Sequence, residues 1–275
     1  ACVSLPAFPL QLLLRRRPEW AAHPAAVVAE AKPQGVILWV NEKARQAGVL
    51  PGLRYAAGAS LTMNLRAGVV PPSEIEEAVE ALTERLIRLT PEVEPSGEEP
   101  GVFWLNAAGL DLLYPSLEEW ARSVSEELDR AGFSATVVVG FTRFGSYALA
   151  RAGRGTVVFR NPATERAAAR EVLLDRLDLD PALRDTLEKL GVRTVGAFLS
   201  LPPGGLRERF GPEAYRLYRM AAGDLPAPLQ PELAQEPIRQ ALALDDPEGD
   251  IPRLLFLAKR LLHPMLAALV ARDEA

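Results

Sequence analysis

The chain changes character at Pro162, and that change limits the folds open to it. Before Pro162, short β-branched runs alternate with amphipathic helical segments; beyond it come only short helical stretches cut by Gly and Pro. A mixed sheet-and-helix layer followed by a small helical bundle satisfies this order. Residues 2–8 read as a buried strand and QLLLRRR as the helix after it, GVILWV as a strand bounded by Gly35 and Asn41, and EKARQAG as a short helix closed by Gly48. Residues 51–61 read as loop and helix. Ser73 with Glu76 forms a capping box for a helix that runs to Leu89 and is ended by Pro91.

VFWLNAAGLDLLY reads as two strands around Ala107-Ala108-Gly109, a hairpin. A helix capped by Ser116 and closed by Gly132 follows, then the strand SATVVVGF, the helix FGSYALARAG and the strand GTVVFR. This succession predicts a split βαβ sheet with helices on one face and an insertion after its first strand. Past Pro162, AAAREVLLDRLDL, PALRDTLEKLG, TVGAFLSL, GGLRERFG and PEAYRLYRMAAG each read as a short helix. DLPAPLQPELAQEP reads as a Pro-rich linker and IPRLLFLAKRLLHPMLAALVA as a last amphipathic helix.

Composition removes several function classes. One cysteine, Cys2, permits no internal disulfide, and with only His23 and His263 beside it no Cys/His zinc site can form, which suits a reducing cytoplasm. The apolar runs are interrupted well short of the ~18 residues of a membrane span. The arginines of the opening segment follow its apolar stretch, the wrong order for a signal peptide. The first residue is not Met and the chain stops at RDEA after an apolar helical pattern, which reads as a piece of something longer.

Net charge is -5, but it is unevenly spread. Nine glutamates between Ser73 and Glu99 face only Arg85 and Arg88, whereas six arginines between Arg143 and Arg170 face only Glu165. One surface can therefore approach phosphate while another stays acidic.

Several segments in order resemble the Y-family (UmuC-like) translesion DNA polymerases. Residues 3–9 take the register of the family's D-x-D-A-F-F, and PEWAAHPAAV at 18–27 tracks P-E-L-x-G-K-P-V-A-V. Gly35-Val36-Ile37, Ala44-Arg45 and Gly48-Val49 keep the spacing of G-V-V…Y-E-A-R-x-x-G-V; Thr90 to Pro95 matches T-P-x-V-E-P. Leu190 to Thr194 and Arg207 to Gly211 match the thumb segments L-G-I-x-T and R-F-G. The resemblance implies an α+β core with a ferredoxin-like palm (1–17 and 73–165), small inserted fingers (18–72), an all-helical thumb (166–225), a linker (226–250) and the start of a little finger (251–275).

The departures from that family are as informative. Its two Mg²⁺ ions need carboxylates, yet Ser4 replaces the first-strand Asp. The later Asp-Glu pair falls on Glu99-Pro100 without gaps, or on Gly101 and Val102 when aligned on the hairpin. Glu42 stands for the triphosphate-clamping Tyr and Leu149 for the palm-helix Lys, leaving Arg45 as a vestige of the nucleotide site. In the thumb hairpin, Asp178 and Asp180 replace phosphate-gripping glycines.

This pattern resembles the catalytically inactive ImuB branch. It implies no metal or cofactor, weak non-specific DNA contact through Arg193, Arg207 and Arg209, and a cytoplasmic, nucleoid-associated scaffold. Through a further C-terminal part such a scaffold would join a sliding clamp, a RecA-like partner and an error-prone replicative-type polymerase. Two alternatives stand beside it: an active polymerase with displaced ligands such as Asp111 with Glu98 or Glu99, and a plain DNA-binding module.

Overall fold

The computed structural model describes residues 1–225, 228–231, 240–242 and 249–273. Most of the linker expected over 226–250 lies outside the described residues. The chain divides into two units, Ala1–Glu232 and Leu233–Ala275.

The first unit is built on strands β1 (Cys2–Ser4), β5 (Val93–Pro95), β6 (Val102–Leu105), β7 (Thr136–Val139) and β8 (Gly155–Val158), in the spatial order β5-β6-β1-β7-β8. β1 lies antiparallel to both β6 and β7, and β8 extends the sheet parallel to β7. Side chains alternate between two apolar faces. Val3, Phe103, Val137 and Val139 join a core covered by α1 (Phe8–Arg16), α4 (Pro72–Ile87) and α5 (Leu117–Arg130). Cys2, Val102 and Val138 face the other way, onto α6 (Arg143–Ala152). Helices thus cover both faces, not the one expected, because central strands that are apolar on both sides demand cover on both. Each of the large enclosed side chains here, such as Trp120 and Phe103, contributes roughly 1.5–3 kcal/mol by leaving water.

The insertion after α1 is a second sheet of β2 (Ala25–Val28), β3 (Ile37–Val40) and β4 (Arg66–Gly68), ordered β3-β2-β4, with α2 (Glu42–Gln46) and α3 (Tyr55–Leu61). Asn41 caps α2 by accepting from Ala44 N at 2.9 Å, and ties it to the sheet by accepting from Ala25 N at 3.0 Å. The short β4 carries no legible strand pattern in its three residues.

The helical part of this unit contains α7 (Pro162–Arg170), α8 (Pro181–Lys189), α9 (Val195–Leu199) and α10 (Leu206–Ala222), packed around Leu174, Leu187, Val195, Phe198 and Leu206. α10 joins the two expected short helices end to end across a kink at Gly211, whose φ of 88° precedes Pro212. In the second unit, α11 (Ile251–Asp273) is a helix in which Leu255, Phe256 and Leu266 are exposed. No helix of the described residues is long and apolar enough to cross a membrane.

Four local expectations are corrected. The first strand ends at Ser4, because Ala7 takes a left-handed φ of 48° and opens α1. α4 begins at Pro72 without a side-chain cap, since proline at the first helical position presets φ and leaves Ser73 inside the first turn. The hairpin is β5–β6, and the chain after Leu105 makes a 3-10 turn at Leu110–Leu112 instead of a strand. Asn106 Oδ1 accepts from Ala108 N at 2.9 Å and Gly109 adopts φ 76°, which together turn the chain away. Finally, α7 stops at Arg170, because the segment after it bridges Leu173 to Thr194.

Candidate functional site

Ser4 lies at the centre of the five-stranded sheet, directly opposite Val102 on one side and Thr136 on the other. All three are buried, at 2%, 2% and 4% exposure. The ladder therefore brings Ser4 and Val102 together. The row across β6, β1 and β7 is neutral. Thr136 Oγ1 is engaged with Gly153 O at 3.3 Å. A pair of hard divalent ions requires anionic oxygens, so these residues do not fit the ions that the resemblance implies.

Gly101 precedes β6 with φ +93°, and its carbonyl accepts from Leu5 N at 2.8 Å. A Cβ at this position would stand 2.6 Å from Phe8 Cβ and 2.8 Å from its Cγ. Backbone conformation and packing both demand glycine here.

Two of the three acids named as displaced ligands, Glu98 and Glu99, lie against other side chains. Glu99 accepts a short hydrogen bond from the Tyr147 hydroxyl and lies 3.5 Å from Arg151, while Glu98 lies 3.6 Å from Arg216. Burial pushes the Glu99 carboxyl up despite the lowering effect of Tyr147 and Arg151, and burial and Glu99 together push the Tyr147 phenol up. Asp111 sits exposed in the 3-10 turn. Among the described residues no three His, Cys, Asp or Glu side chains are grouped to hold a metal ion.

Beside Ser4 and Val102, on the next residue facing α6, Trp104 lies under Arg143, whose guanidinium carbon is 3.9 Å from the ring centroid. Arg143 grips Glu94 with two hydrogen bonds of 2.8 and 2.5 Å, and Glu94 also accepts from Gln230 N at 2.7 Å. The space next to Trp104 and Arg143 is ≈170 Å³, below the ~300–1,000 Å³ of ligand pockets. Burial raises the Glu94 carboxyl, but the Arg143 and Gln230 hydrogen bonds outweigh it and hold the group below its usual range. Its contribution is therefore present above the ordinary carboxylate range and lost as pH falls through the lowered value. Arg143→Lys, which keeps the charge but loses the fork and the stacking, is expected to cost about 1–2 kcal/mol in urea unfolding. An unchanged midpoint would make the pair idle.

Arg193, Arg207 and Arg209 are exposed, and among the described residues none is paired with a carboxylate within 4.0 Å, Glu208 and Glu213 included. Asp180 caps α8 by accepting from Leu183 N at 2.9 Å. Its own carboxylate thus takes the place at this helix N-terminus that a phosphate would occupy. Arg45 is exposed on α2 of the inserted sheet, next to Ala44, which is buried. Leu149 is half-buried and packs toward the sheet.

Residues 3–149, more than half of the chain, match the impB/mucB/samB family. The chain belongs to that family. It is 30% identical over 164 residues to protein ImuB of Caulobacter vibrioides, in strain NA1000 / CB15N and in strain ATCC 19089 / CIP 103742 / CB 15, a match covering 60% of this chain and 35% of the relative. The matched stretch therefore spans about a third of the length of these curated relatives. The fold is similar to that of DinB from Sulfolobus solfataricus (17% identity, TM-score 0.66, 84% of this chain and 68% of that one). A post-insertion binary complex of Dbh DNA polymerase is similar too (18%, TM-score 0.65, 83% and 68%). The architecture is that of a Y-family polymerase core: a palm-like five-stranded layer, an inserted fingers-like sheet and a thumb-like helical part.

One buried group of this impB/mucB/samB chain escaped the sequence reading. Glu165 on α7 is fully enclosed and accepts from Phe141 N at 2.8 Å, Thr142 N and Thr142 Oγ1 at 3.1 Å each, and Ser146 Oγ at 3.3 Å. It ties α7 to the turn between β7 and α6. Its one sequence signal was its standing as the lone acid in the 143–170 basic stretch.

Proposed function

We propose that this chain is the non-catalytic, polymerase-like core of a bacterial translesion scaffold, in which residues 1–17 and 73–165 serve as palm, 18–72 as fingers and 166–225 as thumb. The observation that carries the reading is the neutral Val102–Ser4–Thr136 row beside a Gly101 that has no room for a side chain. Nucleotidyl transfer in this fold depends on carboxylates holding two cations, and the positions that would supply them contribute packing instead. The similarity to protein ImuB supports the scaffold role. A sliding clamp, a RecA-like protein and an error-prone replicative-type polymerase are the proposed partners, bound through segments outside this core, in a cytoplasmic, nucleoid-associated complex.

Primer extension tests the catalytic half. A labelled primer–template with Mg²⁺ or Mn²⁺ is expected to yield no product, and robust incorporation by the unaltered chain would overturn the reading. DNA contact is proposed to be weak and phosphate-directed, through Arg193, Arg207 and Arg209. Arg207→Glu with Arg209→Glu should lower duplex affinity regardless of sequence and flatten the log–log salt slope by about 2. Asp178→Gly with Asp180→Gly should raise affinity by removing repulsion, at a cost of a few tenths of a kcal/mol for the lost cap. A fluorescence-anisotropy salt titration reads both, and an unchanged slope in the double-arginine variant would leave α10 a packing element.

A further inference from the structure

A cavity of ≈520 Å³ opens between α6, α7, α9 and α10, well away in sequence from the Ser4–Val102 row. Its size is that of a ligand-binding site. The walls are held in place before anything binds. Glu165 fixes α7 to the start of α6, and Val195 N donates to Val172 O at 2.9 Å and Leu174 N to Arg193 O at 2.8 Å, fixing α9 to the end of α7. Gly196 lies so close to α7 that a Cβ would stand 3.0 Å from Arg170 O. Tyr218 of α10 meets Phe198 of α9 edge-on with centroids 6.0 Å apart.

The lining is divided by chemistry. Ala169, Val195, Leu199 and Tyr218 provide an apolar floor, and Arg166 and Arg170, one helical turn apart on α7, are the charged side chains among the described lining residues. Both arginines are exposed, and among the described residues neither lies within 4.0 Å of a carboxylate; Arg166 Nε donates to Pro162 O of its own helix at 3.3 Å. The inner wall, by contrast, is closed to anions. The Phe141 and Thr142 N–H groups are taken by Glu165, Gly145 N by Thr142 Oγ1, and the buried carboxylate stands directly behind Gly145. A phosphate deep in the cavity would meet that carboxylate, so negative charge is favoured at the α7 arginines and apolar bulk below them.

We propose that this cavity docks an acidic segment of a protein partner, seating one large apolar side chain on the floor while flanking carboxylates pair with Arg166 and Arg170. Charge complementarity commits the site to a peptide: a nucleic acid needs a phosphate track, and two arginines above an apolar floor provide none.

The test is selection of a random heptapeptide display library on the unaltered chain, followed by anisotropy with the fluorescein-labelled consensus peptide. Enriched sequences are expected to place Asp or Glu beside Leu, Phe, Met or Trp. Arg166→Glu with Arg170→Glu should weaken the peptide about tenfold or more, as should Ala222→Trp, which fills the cavity from an exposed position. Both variants should keep the unaltered thermal midpoint, so that lost binding is not lost folding. Enrichment without acidic residues, or binding indifferent to both variants, would overturn the proposal. So would displacement of the peptide by a single-stranded oligonucleotide in the unaltered chain but not in the arginine variant, which would make the cavity a nucleic-acid site.

Discussion

Gly101→Asp, which puts an acid at the position that the hairpin alignment sets against a polymerase carboxylate, is expected to cost at least ~4 kcal/mol and to leave little folded protein at 37 °C. Three penalties combine. A φ of +93° lies outside the regions open to residues with a Cβ and costs about 1–2 kcal/mol. The new Cβ would stand 2.6 Å from Phe8 Cβ, and relieving such overpacking costs roughly 1–3 kcal/mol. Phe8 cannot yield, because it is 1% exposed and packs at a tilt against Phe133 with ring centroids 5.5 Å apart. The carboxylate would also enter a site with no cation and few donors. Gly97→Asp is the control: it lies in the same hairpin turn, with open space around its Cβ and no positive φ, and should stay within about 0.5 kcal/mol of the unaltered chain. Equal urea midpoints for the two variants would show that Gly101 imposes no such barrier. On this account position 101 is closed to an acidic side chain by backbone conformation and by Phe8 together.

The strands, the long helices and the helical character beyond Pro162 were legible because their signals are local: period-2 apolar runs, Ser116 as a cap, Gly and Pro as breaks. So was the place of Ser4 on the first strand of the sheet. What escaped depends on partners far along the chain. The two candidate registers for the acidic pair both keep the motif order, and that Val102 stands opposite Ser4 is a long-range pairing that only the β1–β6 ladder displays. The apolar run VFWLNAAGLDLLY looks like two strands, yet its hydrogen-bonding partner is the motif strand at 93–95, and Asn106 and Gly109 divert the rest. Arg143 and Glu94 are 49 residues apart and Glu165 finds its donors 23 and 24 residues upstream, so neither contact leaves a periodic trace.

Glu165 supports the second large prediction, because backbone N–H groups are donors that every residue carries and no substitution at their own positions can replace their acceptor. Glu165→Ala should cost about 3–5 kcal/mol: it strips the Phe141 and Thr142 N–H groups of their buried partner, at ~1–3 kcal/mol each, and leaves a void where the carboxylate was. Glu165→Gln preserves volume but offers one acceptor oxygen where two N–H groups need one each, and its amide group then faces a donor; about 1–3 kcal/mol is expected. The surroundings cannot repack around either change, since a Cβ on Gly140 or Gly145 would already lie 2.5 or 2.6 Å from Glu165 Oε1, so these glycines record how closely the backbone closes on the carboxylate. Urea unfolding should therefore rank the unaltered chain above Gln and Gln above Ala, with amide exchange at residues 141–146 rising in the same order. A loss below ~1 kcal/mol for Glu165→Ala would mean that water satisfies those N–H groups and that α6 and α7 are held by their apolar contacts alone. A large loss would instead make this one carboxylate the joint between α7 and the turn that opens α6, and with it a wall of the cavity between these helices.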